Sequence, residues 1–266
     1  MPVSALMDVM IAAAREAGRS LARDFDEVGR LTVSLKGPAD FVSAADHRAE
    51  EVIFRELSRA RPGYGFLMEE RGAVAGTDGS HRWIVDPLDG TTNFLHCVPL
   101  FAISIGLERE GRLVAGLVYN PSMDEMFTAE TGTGAFLNDR PIQVTSCQAL
   151  AAALVSTGIP HRGRSHHEVF LKEARLVLGE IAGLRRTGSA SLDLAWTAAG
   201  RFDGYWEHRL GPWDIAAGIV LVQEAGGIAT DLEGKNAMLE TGDVLAANPA
   251  IHARLLTLLS AAHAAR

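Results

Sequence analysis

Leu6, Val9, Met10, Ala13, Ala17 and Leu21 recur at three- and four-residue intervals, so the chain opens with a helix that is apolar on one face. Ser43 followed by Asp46 has the form of a capping box, and Ala49, Val52, Ile53 and Leu57 continue it as a second helix over 44–59, which stops at Pro62-Gly63. The period then changes. Tyr64 to Met68 and Trp83 to Val85 read as short strands, and both run directly into acid, at Glu69-Glu70 and at Asp86. Residues 101–108 and 112–119 flank the turn Arg109-Glu110-Gly111, and 125–129 and 135–137 follow around glycine-rich turns, which predicts an antiparallel meander with Gly132-Thr133-Gly134 as one turn. Beyond it the pattern predicts a strand at 153–157, helices at 166–182 and 190–199, a strand at 202–206 and a helix at 214–225. Short strands at 228–231 and 244–247 and a helix at 249–263 complete the chain. No repeat, low-complexity tract or Pro/Gly/Ser linker interrupts it. The expected organisation is two closely packed halves, an α+β half over 1–148 and an α/β half over 149–266, with a soft boundary near 146–152.

Composition narrows the classes. A chain of 266 residues with 47% hydrophobic content can bury a large core. The formal charge of −8 offers no broad footprint for nucleic acid or an anionic membrane. Asp8, Arg15, Glu16, Arg19 and Arg23 break the first helix, so it lacks the apolar centre of a signal peptide, and no segment approaches the roughly 18 uncharged apolar residues of a membrane span. Cys97 and Cys147 are too few for a disulfide scaffold and are expected to be small buried hydrophobes in a reduced, cytoplasmic protein.

The segment Trp83-Ile84-Val85-Asp86-Pro87-Leu88-Asp89-Gly90-Thr91-Thr92-Asn93-Phe94 poses the chemical question, because it places two carboxylates at the end of a buried strand. In one reading Asp89 caps the helix that begins at Gly90 or Thr91, and Asp86 satisfies amides at the strand end. In the other these acids converge with Glu69-Glu70 and with Asp214, which opens a later helix in Trp213-Asp214-Ile215-Ala216-Ala217-Gly218. Carboxylates gathered that closely repel and need cations, and an all-oxygen set favours a hard ion such as Mg²⁺. Gly90-Thr91-Thr92 would then present backbone N–H groups to a phosphate. Other chemistries lack their motifs: the nine histidines show no H-x-H or H-E-x-x-H spacing, and there is neither a G-x-x-x-x-G-K-[ST] loop nor a G-x-S-x-G elbow.

The segment from Trp83 to Phe94 and the segment from Trp213 to Gly218 resemble the two signatures of the inositol monophosphatase family. Met68-Glu69-Glu70 stands at that family's Gly-Glu-Glu, and Lys36…Asp40…Ser43-Ala44-Ala45-Asp46 is similar to its N-terminal metal-loop segment. The similarity spans nearly the whole chain. Two departures are Met68 in place of glycine and a segment between Lys36 and Asp40 that is one residue shorter than in some members. The resemblance implies an α/β layered αβαβα sandwich, with a largely antiparallel N-terminal sheet and a mixed C-terminal sheet.

It further implies that Glu69, Asp86 and the Leu88 carbonyl hold one Mg²⁺, that Asp86, Asp89 and Asp214 hold a second, and that a third, weaker ion sits near Glu69. Thr91, hydrogen-bonded to Asp46, would orient the attacking water, and the Gly90 and Thr91 amides would grip the phosphate. Asp89, Gly188, Ser189, Ala190 and Glu207 would meet the hydroxyls of a phosphorylated polyol. Plainer readings stand beside these: Asp46 as a helix cap, Glu207 as an exposed acid after an apolar strand, and Lys36 as a solvated loop charge. The implied activity is Mg²⁺-dependent, Li⁺-sensitive hydrolysis of inositol 1-phosphate by a homodimer paired through the meander. Alternatives are histidinol phosphate, fructose 1,6-bisphosphate or a 3′-phosphonucleotide as substrate, or a main role in binding the transcription machinery.

Overall fold

The computed structural model describes residues 4–28, 33–37 and 40–264, with the side chains of 35–37, 40–42, 263 and 264 outside that description. In order come α1 (Ala5–Asp26), the antiparallel hairpin β1 (Val33–Gly37) and β2 (Asp40–Ser43), α2 (Ala44–Ala60), β3 (Gly65–Met68), β4 (Gly72–Val74) and β5 (His81–Asp89). The short α3 (Thr91–Leu95) leads into the meander of β6 (Ala102–Arg109), β7 (Arg112–Asn120), β8 (Glu125–Glu130), β9 (Gly134–Leu137) and β10 (Arg140–Ile142). The second half holds β11 (Leu154–Thr157), α4 (His167–Leu178), β12 (Gly183–Arg185), α5 (Ala190–Ala198), β13 (Gly204–Glu207) and α6 (Pro212–Glu224). It closes with β14 (Ile228–Thr230), α7 (Met238–Thr241), β15 (Val244–Ala247) and α8 (Pro249–Ala264).

These elements form the layered α/β fold. The first sheet has the order β10-β9-β8-β7-β6-β5-β3-β4 and is antiparallel except where β3 and β5 run parallel. The second, β12-β11-β13-β15-β14, is mixed: β11 pairs in parallel with both β12 and β13, while β15 runs antiparallel to its neighbours. Strand alternation decides what each face meets. Ile103, Ile105 and Leu107 of β6 and Ala115 and Leu117 of β7 join α1 and α2 in one core. The opposite face is cut small so that α6 can lie on it. A Cβ on Gly116 would come within 2.3 Å of the Ala217 carbonyl oxygen, and one on Gly106 within 2.9 Å of the Ala216 side chain. The α5–α6 layer forms a second core between the sheets, and α4 and α8 cover the far face of the second sheet in a third.

The pattern fell short in several places. The strand predicted at 83–85 extends over His81–Asp89, and the one at 202–206 moves to Gly204–Glu207, which brings Glu207 inside it. The helix predicted to 182 ends at Leu178 before Gly179, a poor helix former, and 183–185 becomes an edge strand. Cys97 and Cys147 are not buried: Cys97 is exposed in the turn after α3 with φ +58°, and Cys147 is half-buried on the passage between the sheets. Among the described residues no helix is long and apolar enough to cross a membrane.

Candidate active site

The acids gather because of where strands and helices end. β3 and β5 are parallel with Met68 beside Val85, so Glu69 and Asp86 leave the same edge of the sheet together. Pro87 has no N–H for the ladder, and the register between β5 and β6 breaks from Asp86 to Asp89. Asp86 turns one oxygen back to the Leu88 N–H, at 2.8 Å, and Thr91 donates to the Leu88 carbonyl at 3.1 Å. A carbonyl has two lone pairs, so one remains for a further partner. From the other half, Pro212 starts α6 and places Asp214 at its third position, where it accepts from the Gly211 N–H at 2.7 Å. The start of α6 is pinned to the first sheet by Ser104, whose hydroxyl donates to the Trp213 carbonyl at 2.9 Å.

Carboxylate oxygens of Asp86, Asp89 and Asp214 consequently lie within 4.8 Å of one another. Burial, then the charges of Glu69, Asp89 and Asp214, push the Asp86 carboxyl well above the usual range. Asp214 is raised by burial and by Asp89 and Glu69. Asp89 is raised by burial although hydrogen bonds oppose it, from Ser189 Oγ at 2.6 Å, Ser191 Oγ at 2.5 Å and the Ser191 N–H at 2.7 Å, all to one oxygen, and from the Ala190 N–H. Buried acids that repel and offer only oxygen ligands fit a hard divalent cation such as Mg²⁺. Asp89 is not the cap of the following helix, as one reading of the sequence has it. Gly90 takes that position, in a left-handed conformation (φ +91°) where a Cβ would meet the Leu100 carbonyl at 2.9 Å, and Asp89 is drawn across to α5 instead.

Asp46 is buried, caps α2 and also meets Thr91. One oxygen accepts from the Ser43 N–H at 2.8 Å and the Ser43 hydroxyl at 2.6 Å, and the other accepts from the Thr91 hydroxyl at 3.0 Å. Burial raises its pKa, against these hydrogen bonds. The side chains of Lys36 and Asp40 lie outside the described residues.

A cavity continues from the acids into the second half, lined by Asp89, Asp214, Gly188, Ser189, Ala190 and Glu207. Asn93 fixes its wall by donating to both the Leu100 and the Thr187 carbonyls, at 2.7 and 2.8 Å. Glu207 is not an exposed acid. Tyr205 donates to it at 2.6 Å, and its carboxylate presses on Gly158 so closely that an added Cβ would fall within 2.0 Å of three of its atoms. Burial pushes its pKa up to about 7, against the Tyr205 hydrogen bond, with Asp89 adding to the rise and Arg186 and Arg164 opposing it. Ser191, Gly158 and Arg186 were absent from the sequence reading although the first holds Asp89 and the others line the cavity. One signal for them exists: β11, β12 and β13 run parallel and end at Thr157, Arg185 and Glu207, and ligands in open α/β sheets collect beyond such carboxyl ends.

The profile of the inositol monophosphatase family matches residues 3–264. An inositol-1-monophosphatase of Mesorhizobium japonicum is 60% identical, with 95% of each chain covered. The Nus factor SuhB of Pseudomonas aeruginosa is 41% identical over 96% of this chain and 95% of that one. Among solved structures, the extragenic suppressor protein suhB of Bartonella henselae superposes with a TM-score of 0.94 at 55% identity, covering 96% of this chain and 98% of that one. The chain therefore belongs to the inositol monophosphatase family, and with it to the phosphatases.

Proposed function

We infer that the protein hydrolyses inositol 1-phosphate to inositol and phosphate with Mg²⁺ as cofactor. The observation that carries this reading is the meeting of Asp86, Asp89 and Asp214 at the mouth of a cavity walled by Glu207, beside the Asp46–Thr91 pair. Glu69, Asp86 and the Leu88 carbonyl would hold one ion, Asp86, Asp89 and Asp214 a second, and Glu69 would neighbour a weaker third. Two such ions, when bound, supply Lewis-acid polarisation of the phosphate, a nucleophilic water and charge compensation for the leaving alkoxide. The chain's own groups do the rest. Because the single hydrogen of the Thr91 hydroxyl is shared between Asp46 and the Leu88 carbonyl, its oxygen is left as an acceptor that orients the attacking water. The Gly90 and Thr91 amides donate to phosphate oxygens. Glu207 and Asp89 accept from ring hydroxyls, and Gly188, Ser189 and Ala190 wall the seat. A site that pairs several hydroxyls at once penalises an alcohol lacking them.

Phosphate release from a panel of inositol 1-phosphate, histidinol phosphate, fructose 1,6-bisphosphate and a 3′-phosphonucleotide, with and without Mg²⁺, tests this. The expected result is Mg²⁺-dependent release with inositol 1-phosphate preferred. Release that persists after chelation, or a preference for another member of the panel, overturns it. The 41% identity to a protein named Nus factor SuhB favours a second reading, an added role in binding the transcription machinery. Co-purification with RNA polymerase would support that role, and failure to associate would remove it.

A further inference from the structure

Beyond the carboxylates of the site, the chain buries a second ionic cluster, directly behind Glu207. β13 runs as Gly204-Tyr205-Trp206-Glu207 into His208, and alternation sends neighbours to opposite faces of the second sheet. Tyr205 belongs to the core between the sheets and Glu207 opens on the cavity, whereas Trp206 belongs to the outer core beside α4. His208 follows Trp206 outward. There the fully buried Glu173 of α4 accepts from Trp206 Nε1 at 3.2 Å, and both of its oxygens lie 2.9 Å from His208 Nε2. The other ring nitrogen, Nδ1, is 3.4 Å from Asp243 Oδ1 in the turn before β15. Burial works against a charge on this imidazole, but Asp243 and Glu173 outweigh it and raise its pKa to about 9. The other groups facing it are His166, whose ring lies 5.4 Å away, with Arg164, His167 and Arg209 around them. Burial and the neighbouring His208 lower the pKa of His166, so the proton of the pair rests on His208.

The same cluster ties down the far wall of the cavity. Asp243 accepts from the Arg209 N–H at 3.0 Å, and Arg209 reaches Ser165 Oγ at 2.9 Å. Arg164 returns the contact by donating to the Arg209 carbonyl at 2.5 Å. Residues 158–166 begin at Gly158, the residue on which the Glu207 carboxylate rests. The two supports of Glu207, its own strand end and the Gly158 segment, therefore meet at His208.

We propose that His208 is a positioning residue: the imidazolium gripped by Glu173 and Asp243 behind β13 fixes the strand end and the Gly158 segment, and through them the carboxylate that faces the substrate's polyol. This rests on the reading of Glu207 as a polyol contact. An ion pair that merely stabilised the fold would affect every substrate alike. A positioning role affects only substrates that use Glu207.

The test compares phosphate release from inositol 1-phosphate and from para-nitrophenyl phosphate by the full chain with Mg²⁺, for wild type, His208→Gln, Asp243→Asn, Glu207→Gln and the double variant His208→Gln/Glu207→Gln. His208→Gln is expected to raise KM for inositol 1-phosphate about tenfold, the scale of one misplaced charged hydrogen bond, with kcat and the para-nitrophenyl reaction nearly unchanged. The double variant should be no worse than Glu207→Gln alone. Asp243→Asn should keep the preference at neutral pH and lose it at a lower pH than wild type, because it removes one of the two groups that hold the proton; this variant carries the test if His208→Gln does not fold. Equal losses on both substrates, no loss on either, multiplicative losses in the double variant, or an unshifted pH profile in Asp243→Asn would overturn the proposal. If Glu207→Gln itself fails to discriminate between the two substrates, the assignment of Glu207 falls instead.

Discussion

Replacing Gly158 by alanine adds a single methyl group at the point where the cavity wall meets Glu207. The new Cβ would stand 1.8 Å from Glu207 Cδ and 2.0 Å from each carboxylate oxygen. Ordinary carbon contacts lie near ~3.5 Å, so the carboxylate has to retreat by more than about 1 Å. Gly158 is not among the glycines with positive φ, so alanine strains no backbone there and the effect falls on the side chain it strikes. A displacement of that size in a substrate-positioning group costs up to about a hundredfold in rate, and loss of one charged hydrogen bond costs on the order of 1.5–3 kcal/mol. For Gly158→Ala, kcat/KM for inositol 1-phosphate should fall by about ten- to a hundredfold, in step with Glu207→Gln. The acids assigned to metal in the proposed mechanism and the Asp46–Thr91 pair are untouched, so para-nitrophenyl phosphate should be hydrolysed at nearly the wild-type rate. Steady-state kinetics on both substrates, with thermal melts to verify folding, decide the matter. A wild-type preference, or equal losses on both substrates, would refute the placement of Glu207 against the polyol.

Asp86→Asn should lower Mg²⁺-dependent turnover by several orders of magnitude while leaving the metal-free protein as stable or more so, since it removes one of several mutually repelling buried charges; near-normal turnover would sink the assignment. Li⁺ should inhibit, and full activity in excess Li⁺ would count against the site being of the inositol monophosphatase type. Because the pKa of His208 is raised in the folded chain, its contribution to stability is complete below the unfolded value near ~6.5 and is lost as pH rises through about 9. Stability to urea should therefore fall across that window in wild type, by roughly 3.4 kcal/mol in unfolding free energy at most, and stay flatter in His208→Gln. Sedimentation at micromolar concentration should give a dimer, with monomeric behaviour removing the expectation of pairing through β6 to β10.

Much of this was legible in the chain for a definite physical reason. The periodic faces of α1 and α2 and the alternation through the meander are local, and the acids announced themselves by standing at element ends. What escaped is long-range. Gly158 and Arg186 become cavity residues only because β11 pairs in parallel with both β12 and β13, which brings three distant strand ends to one edge, and nothing within each segment says so. Ser191 carries no mark of its role, since its hydrogen bonds to Asp89 cross a hundred residues of sequence. The exposure of Cys97 escaped for the opposite reason: a small apolar side chain is expected inside, and the tight turn after α3 holds it outside in a left-handed conformation.

The sequence posed capping and chemistry as alternatives for Asp89 and Asp46; Asp89 caps nothing, but in Asp46 a local cap leaves one oxygen for a second partner. Asp46 and Asp214 occupy the third position of their helices, and each returns one oxygen to the N-cap amide, of Ser43 and of Gly211. Asp86 does the same in miniature with the Leu88 N–H. A carboxylate has two oxygens, and a local backbone bond to one of them fixes the direction of the other. For Asp46 that other oxygen meets Thr91, and for Asp86 and Asp214 the carboxylates approach each other and Asp89. The caps are thus the orienting device of the site. Local hydrogen bonds hold mutually repelling acids in place, and burial together with that crowding raises the pKa values of Asp86 and Asp214. It follows that Ser43→Ala should weaken the Asp46–Thr91 pair as well as the start of α2, because the same carboxylate serves both.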